Sequence, residues 1–260
     1  MTDVTIVGCG NLGSALIEGL SQSGGHDITA YDVDEETLER VATHATRTTT
    51  DVETAAASDV VVVAVKPDVV GPVVSEFGPH LAPEQTVVTV AAGVSRAHVA
   101  ARTDATVVRV MPNLAASTRD MAAAVAWDDP DEDVREMLTD LGEYVEIEED
   151  LMDAATALNG SGPAFVFYVV QAMKRGAVAE GVDPEAAQVL AAQTVVGAGE
   201  TVLGSDRSVD DLIDAVCSPN GTTIEGMEVL WDSTVADDLG RALAAATERS
   251  RELAAEHTDE

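Results

Sequence analysis

Basic residues are scarce in this chain, and lysine is the scarcest. Fourteen lysines and arginines face forty-seven acidic residues over 260 positions, a formal net charge of -33, and only Lys66 and Lys174 are lysines. A surface of that sign repels phosphate backbones and anionic bilayers, which argues against nucleic-acid and membrane-surface roles. Long apolar runs are missing too. Runs such as 60–65 and 163–170 fall far below the roughly 20 needed to span a bilayer. Cysteine is limited to Cys9 and Cys217, without the CxxC or Cys/His spacing of a zinc site. Both are expected as reduced, buried thiols, and no metal is expected. A predicted strand begins within three residues of Met1, leaving no charged and apolar leader, so the expected location is the cytoplasm.

The acidic residues are dispersed over 32–36, 128–133, 146–150 and 206–214 rather than gathered in a tail. A dispersed acidic, lysine-poor surface resembles that of proteins from salt-accumulating halophiles. There, multimolar cation screens a self-repulsion that destabilises the compact state in dilute buffer.

The first part of the chain alternates β-branched runs with helical patterns. Strands are predicted over 4–7, 28–31, 60–65, 87–90 and 107–110, and helices over 12–23 and 35–42, with 122–127 and 143–147 as further strands. Strands without polar alternation indicate a parallel sheet covered on both faces. After Asp150 the texture turns helical and rich in alanine, with helices predicted over 151–158, 164–180, 184–203, 208–216, 222–231 and 235–256. Asp183 before Pro184 reads as an N-cap with proline at the first helical position, and Ser233 reads as a cap for the last helix. The fold class is therefore α/β, with a doubly wound sheet over 1–150 and an all-helical domain over 151–260. A helical half this rich in alanine, valine and leucine either closes on itself or buries a face against a copy, and a homodimer through this half is expected.

Gly8-Cys9-Gly10-Asn11-Leu12-Gly13 follows a predicted strand and opens a predicted helix. In that context the first glycine permits a tight turn, the second lets a pyrophosphate approach the backbone, and the third lets helix and strand pack closely. Asp32 ends the next strand, where an acidic residue binds the adenosine ribose. Its charge, ~4 Å from a 2'-phosphate, would cost about 4 kcal/mol at an effective dielectric of 20, favouring NADH over NADPH. Multimolar salt weakens that discrimination. The alternative places Tyr31 or Asp34 at the ribose and turns Asp32 to solvent. Ala64-Val65-Lys66-Pro67, Ala91-Ala92-Gly93 and Met111-Pro112-Asn113 each end a strand on the same carboxyl edge. Lys66 either pairs with cofactor phosphates or holds a local carboxylate.

Cys217-Ser218-Pro219-Asn220-Gly221-Thr222-Thr223-Ile224 opens a helix with small residues, a proline and two hydroxyls. The free N–H groups of such a start, with the positive end of the helix dipole, bind an anion, and a carboxylate suits that site. These motifs, together with Arg109-Val110-Met111-Pro112-Asn113 and Asn159-Gly160-Ser161-Gly162-Pro163-Ala164, resemble the pyrroline-5-carboxylate reductase family over nearly the whole chain. Asn159 stands where the family usually has serine, Asn220 where glycine is usual, and Leu12 where methionine is common. Asp32 departs from the small polar residue of NADPH-preferring members. The resemblance implies a Rossmann-like domain followed by a helical dimerisation domain. It also implies reduction of L-1-pyrroline-5-carboxylate to L-proline by hydride from NADH or NADPH. It places the substrate carboxylate on Ser218, Pro219, Asn220, Gly221, Thr222 and Thr223, with Thr223 also meeting the imine nitrogen. Asp206 then orders the pocket or is a solvated surface residue, and the homodimer can build a larger homo-oligomer. No histidine (His26, His44, His80, His98, His257) falls in a motif. A β-hydroxyacid dehydrogenase or related imine reductase is the competing enzyme, though Lys174 lacks the glycine-rich approach of that class. A non-catalytic nucleotide-binding protein would not need the second anion site.

Overall fold

The computed structural model describes residues 2–258, with side chains through Glu256; Met1, Asp259, Glu260 and the side chains of His257 and Thr258 lie outside the described residues. Eight strands, β1 (Thr2–Val7), β2 (His26–Tyr31), β3 (Arg47–Thr49), β4 (Val60–Val63), β5 (Thr86–Thr89), β6 (Thr106–Met111), β7 (Met121–Ala126) and β8 (Gly142–Glu146), form one sheet in the order β3-β2-β1-β4-β5-β6-β7-β8. Every pairing is parallel except β6 with β7. The intervening helices are α1 (Asn11–Ser23), α2 (Glu35–Val41), α3 (Val52–Ala55), α4 (Pro67–Phe77), α5 (Arg96–Ala100) and α6 (Glu132–Leu141).

The two-sided covering expected from the unbroken valine runs is present. Val60 and Val62 of β4 pack with Leu16 and Leu20 of α1 and Leu138 and Leu141 of α6 on one face. Val61 and Val63 pack with Val70, Val74 and Phe77 of α4 and Val99 of α5 on the other. A third cluster, Met111, Ala124, Ala126 and Met152, lies under the carboxyl edge beside β6 and β7.

Beyond β8 the chain is helical: α7 (Met152–Ala155), α8 (Gly162–Ala179), α9 (Pro184–Leu203), α10 (Val209–Val216), α11 (Thr222–Trp231) and α12 (Val235–Thr258). Asp183 caps α9, its carboxylate accepting the Glu185 and Ala186 N–H groups, and Ser233 Oγ accepts the Val235 N–H at the start of α12. The predicted helix over 151–158 is corrected. A 3-10 turn (Glu149–Leu151) leads into the short α7, and Thr156–Gly160 is one π turn. There Asn159 Nδ2 donates to the Met111 carbonyl at 2.5 Å and the Ala122 carbonyl at 3.0 Å, drawing the turn onto the sheet.

By internal packing, residues 1–161 with 243–260 form one unit and 162–242 another. Among the described residues of 162–242 only Ala187 and Ala191 are buried, while Phe167, Tyr168, Val189, Leu203, Val229 and Trp231 are exposed. That unit has almost no core of its own.

Candidate functional site

At the head of α1 the three glycines do different work. Gly8 sits at φ +95°, a conformation that disfavours a side chain, and a Cβ there would come within 2.7 Å of Val65. A Cβ on Gly13 would lie 1.9 Å from the Gly8 carbonyl oxygen, so α1 reaches its strand only with glycine at that position. Gly10 faces open space and is the N-cap of α1, and no side chain caps that start among the described residues. Free amide N–H groups, a helix dipole and room at the backbone together make a cradle for a phosphate. The residues present therefore fit a dinucleotide.

Asp32, just past β2, is already oriented toward this loop. Its Oδ2 accepts the Cys9 N–H at 2.8 Å and its Oδ1 accepts the Asp34 N–H at 3.0 Å. The two alternative ribose readers are occupied. Tyr31 is buried edge-to-face against Phe77, and Asp34 caps α2, accepting from the Glu36 N–H and the Thr37 hydroxyl. The Thr37 hydrogen bond in particular holds the Asp34 carboxyl below its usual range. Cys9 is buried as expected, and burial, reinforced by Asp32, pushes its thiol up to about 12. Cys217 is only half-buried, a correction to the expectation: it caps the C-terminus of α10 and leads into the exposed residues 218–220.

Ala64, Val65, Lys66 and Pro67 follow β4, Ala91, Ala92 and Gly93 follow β5, and Met111 ends β6 with Asn113 beyond it, so all lie at the carboxyl edge. Lys66 is exposed at the N-cap of α4 and makes no ion pair among the described residues, so no local carboxylate holds it. Asn113 spends its side chain on the backbone, accepting the Ala115 N–H at 3.1 Å. A cavity of about 500 Å³ runs from Cys9, Gly10 and Asn11 down the groove toward Arg40, His44 and Ser117.

Sequence reasoning missed one cluster here. Glu149 Oε1 accepts the backbone N–H of Arg96 at 2.7 Å. The same carboxylate meets Arg96 Nε at 3.4 Å and Arg109 Nη1 at 3.4 Å. The signal was Arg109 itself, a charge inside an otherwise apolar strand that cannot be buried without a partner.

In the 162–242 unit, α11 starts at Thr222 with Gly221 as N-cap and no side-chain cap among the described residues. Asn220 takes φ +57°, the left-handed turn for which asparagine is tolerated. The Gly221 N–H donates to the Ser218 carbonyl at 2.9 Å, closing the turn. Ser218 and Thr222 are exposed, Thr223 is half-buried, and none of the three hydroxyls has a hydrogen-bond partner among the described residues. Asp206 is exposed and precedes α10, whereas Ser218 follows it. The eight-residue α10, roughly 12 Å long, lies between them along the chain.

Residues 149–253 match the model of the family described as pyrroline-5-carboxylate reductase dimerisation, and 3–93 match that described as NADP oxidoreductase coenzyme F420-dependent. The pyrroline-5-carboxylate reductase of Methanosarcina acetivorans is 38% identical over 96% of this chain and 97% of its own. The chain belongs to the pyrroline-5-carboxylate reductase family. A solved reductase of that name from Coxiella burnetii superposes with a TM-score of 0.88 at 30% identity, covering 97% of this chain and 98% of the other. The Plasmodium falciparum pyrroline carboxylate reductase, solved with NADP bound, gives a TM-score of 0.84 at 26% identity, covering 97% and 98%. Family membership fixes the fold as a Rossmann-like domain followed by a mostly helical one, and the class as an NAD(P)H-dependent oxidoreductase that forms homo-oligomers. Among the described residues no helix is long and apolar enough to cross a membrane.

Proposed function

We propose that this chain reduces L-1-pyrroline-5-carboxylate to L-proline with NADH or NADPH, the last step of proline biosynthesis. One observation carries the reading: among the described residues, two helix starts that follow glycine-bearing motifs lack a side-chain cap, α1 with open space at Gly10 and α11 behind Gly221. The first suits a pyrophosphate and the second a carboxylate.

Gly8, Cys9, Gly10, Asn11, Leu12 and Gly13 would hold the cofactor's pyrophosphate, Asp32 its adenosine ribose and Lys66 a phosphate charge. The nicotinamide half would lie along Ala64, Val65, Pro67, Ala91, Ala92, Gly93, Met111 and Asn113. When bound, the reduced nicotinamide supplies a hydride to the carbon of the C=N bond. Ser218, Pro219, Asn220, Gly221, Thr222 and Thr223 would hold the substrate carboxylate through backbone N–H groups. The imine is a better hydride acceptor when its nitrogen is protonated from solvent, so the enzyme needs only a hydrogen-bond partner there. Thr223, whose hydroxyl is uncommitted, takes that role. Positioning and fixed dipoles then carry the catalysis, without a histidine acid. Asp206 enters from the family pattern alone.

The finer properties belong to the same reading. The carboxylate of Asp32 selects NADH, because a 2'-phosphate would meet its charge. Residues 1–150 serve the cofactor, and 151–260 serve the substrate and a homodimer that covers the exposed apolar side chains. The charge of -33 fits a halophilic protein of the cytoplasm, where multimolar salt screens repulsion. The test is turnover of pyrroline-5-carboxylate with each nicotinamide in molar potassium chloride, on protein shown to be folded. Oxidation of either cofactor that depends on the imine is expected, and its absence with both would overturn the reading.

A further inference from the structure

The start of α5, behind the loop after β5, and the strand β6 both meet one carboxylate that none of the sequence motifs contains. Glu149 lies in the 3-10 turn that follows β8. The Arg96 N–H it accepts at 2.7 Å is the first amide of α5, directly behind the Ala91-Ala92-Gly93 loop. Gly93 turns that loop at φ +75°. The second contact comes from Arg109, which pairs in register with Thr89 of β5 and Ala126 of β7 and lies on the strand that delivers Met111 and Asn113. The Arg109 side chain is 7% exposed, and Glu149 is its only charged partner among the described residues. Its Nε and Nη2 are buried with no hydrogen-bond partner among the described residues. A guanidinium so enclosed cannot leave its place at low cost, so Glu149 is held on one side and holds the loop behind Gly93 on the other. The two 3.4 Å charge contacts are largely enclosed, so molar salt screens them less than exposed pairs, and the 2.7 Å hydrogen bond to the Arg96 N–H does not depend on long-range attraction.

We propose that Glu149 is a positioning residue for the reductase: it ties the start of α5, behind the Ala91-Ala92-Gly93 loop, to β6, the strand that delivers Met111 and Asn113, and so fixes the nicotinamide half of the cofactor site while leaving the adenosine half untouched. The inference rests on the cofactor placement described above. Its consequence is a split between the two halves of the site. Hydride transfer depends on sub-ångström placement of the nicotinamide, and a shift of about 1 Å can cost up to about 100-fold in rate. Affinity at Gly8–Gly13 and Asp32 has no such dependence on Glu149.

The experiment uses the full-length enzyme in molar potassium chloride with ADP-ribose, which carries the adenosine and pyrophosphate without the nicotinamide, as competitor. In Glu149→Ala, kcat should fall about ten- to hundredfold while the ADP-ribose inhibition constant stays within about twofold. Removing Glu149 strands Arg109, so the same comparison is made in Arg109→Met backgrounds. Glu149→Gln/Arg109→Met keeps an acceptor for the Arg96 N–H and should recover most of kcat. Glu149→Ala/Arg109→Met, equally folded by circular dichroism, should not. Unchanged kcat in Glu149→Ala, parallel loss of kcat and ADP-ribose binding, or equal rates in the two double variants would each overturn the proposal. Wild-type enzyme that ADP-ribose fails to inhibit would overturn the cofactor placement, and this inference with it.

Discussion

Asp32 shows how much one side chain can hold in advance. Both of its oxygens already accept backbone N–H groups, from Cys9 and Asp34, so its charge is fixed beside the glycine loop before any cofactor arrives. Asp32→Ser should move the ratio of specificity constants toward NADPH by about 10- to 100-fold in dilute salt, a fraction of the full Coulomb cost. The shift should be smaller in molar salt, and a steady-state comparison at both ionic strengths reads it. Thr223→Ala should lower kcat/KM about 2- to 150-fold, the range for one hydrogen bond to a neutral or a charged partner, without weakening the cofactor. Thr222→Ala, which keeps the backbone N–H, is the control. Cys9 gives a pH signature. With its thiol near 12, the thiolate at pH 8 is about one part in ten thousand, so iodoacetamide should spare Cys9 in the native protein and modify it after unfolding. The sign for stability follows. Unfolding returns the thiol to its ordinary value of 9.0, so between 9.0 and about 12 the native state binds more protons than the unfolded chain. Stability drawn from this group is complete below pH 9 and declines above it.

The start of α11, the proposed carboxylate site, is defined by what it lacks. Gly221 provides no cap, and a Cβ there would meet the Ser218 hydroxyl, which can turn away, and the Ser218 carbonyl oxygen at 3.0 Å, which must give by a few tenths of an ångström. Gly221→Asp would place a carboxylate of the protein's own on the free amides, as aspartate does at many helix starts. The melting temperature should hold or rise while KM for the imine rises at least about tenfold, the two effects of one occupied site, with cofactor affinity unchanged. Calorimetry and initial rates separate them. Helices with such punctuation were also the ones most legible in the sequence. Pro184–Leu203 and Thr222–Trp231 match their predicted bounds because Asp183-Pro184 and the small residues around Gly221 mark where they begin. Pro67–Phe77 was not foreseen, since Gly71 and Pro72 read as breakers although the helix carries both. Glu132–Leu141 hid in an acidic run whose apolar face, Val134, Met137, Leu138 and Leu141, only the sheet makes evident. The π turn at Thr156–Gly160 depends on Asn159 reaching two carbonyls far away in sequence, which no local pattern encodes. For the same reason the glycine loop and Asp32 could be read directly, being contiguous or at a known offset, whereas Glu149 with Arg96 and Arg109 could not.

At the scale of the molecule, charge and exposed apolar surface set the conditions for folding. A net charge of -33 on a 26.9 kDa chain favours expansion in dilute buffer. The melting temperature should climb steeply from about 0.1 to 2 M potassium chloride as the screening length contracts from about 10 to a few ångströms. Phe167 and Tyr168, each 71% exposed in the single chain, mark a face that a second copy should cover, so light scattering at high salt should give at least twice the monomer mass. Dilution of salt should release monomer that binds a hydrophobic dye. The bare start of α11 reaches this scale as well. The carboxylated ligand proposed there would complete the helix, so its occupancy and folding would be linked thermodynamically. A carboxylated ligand at 100 times its dissociation constant would add about 2.7 kcal/mol to the stability of the whole assembly. Where proline accumulates, the enzyme that makes it would thus be protected against unfolding by its own product.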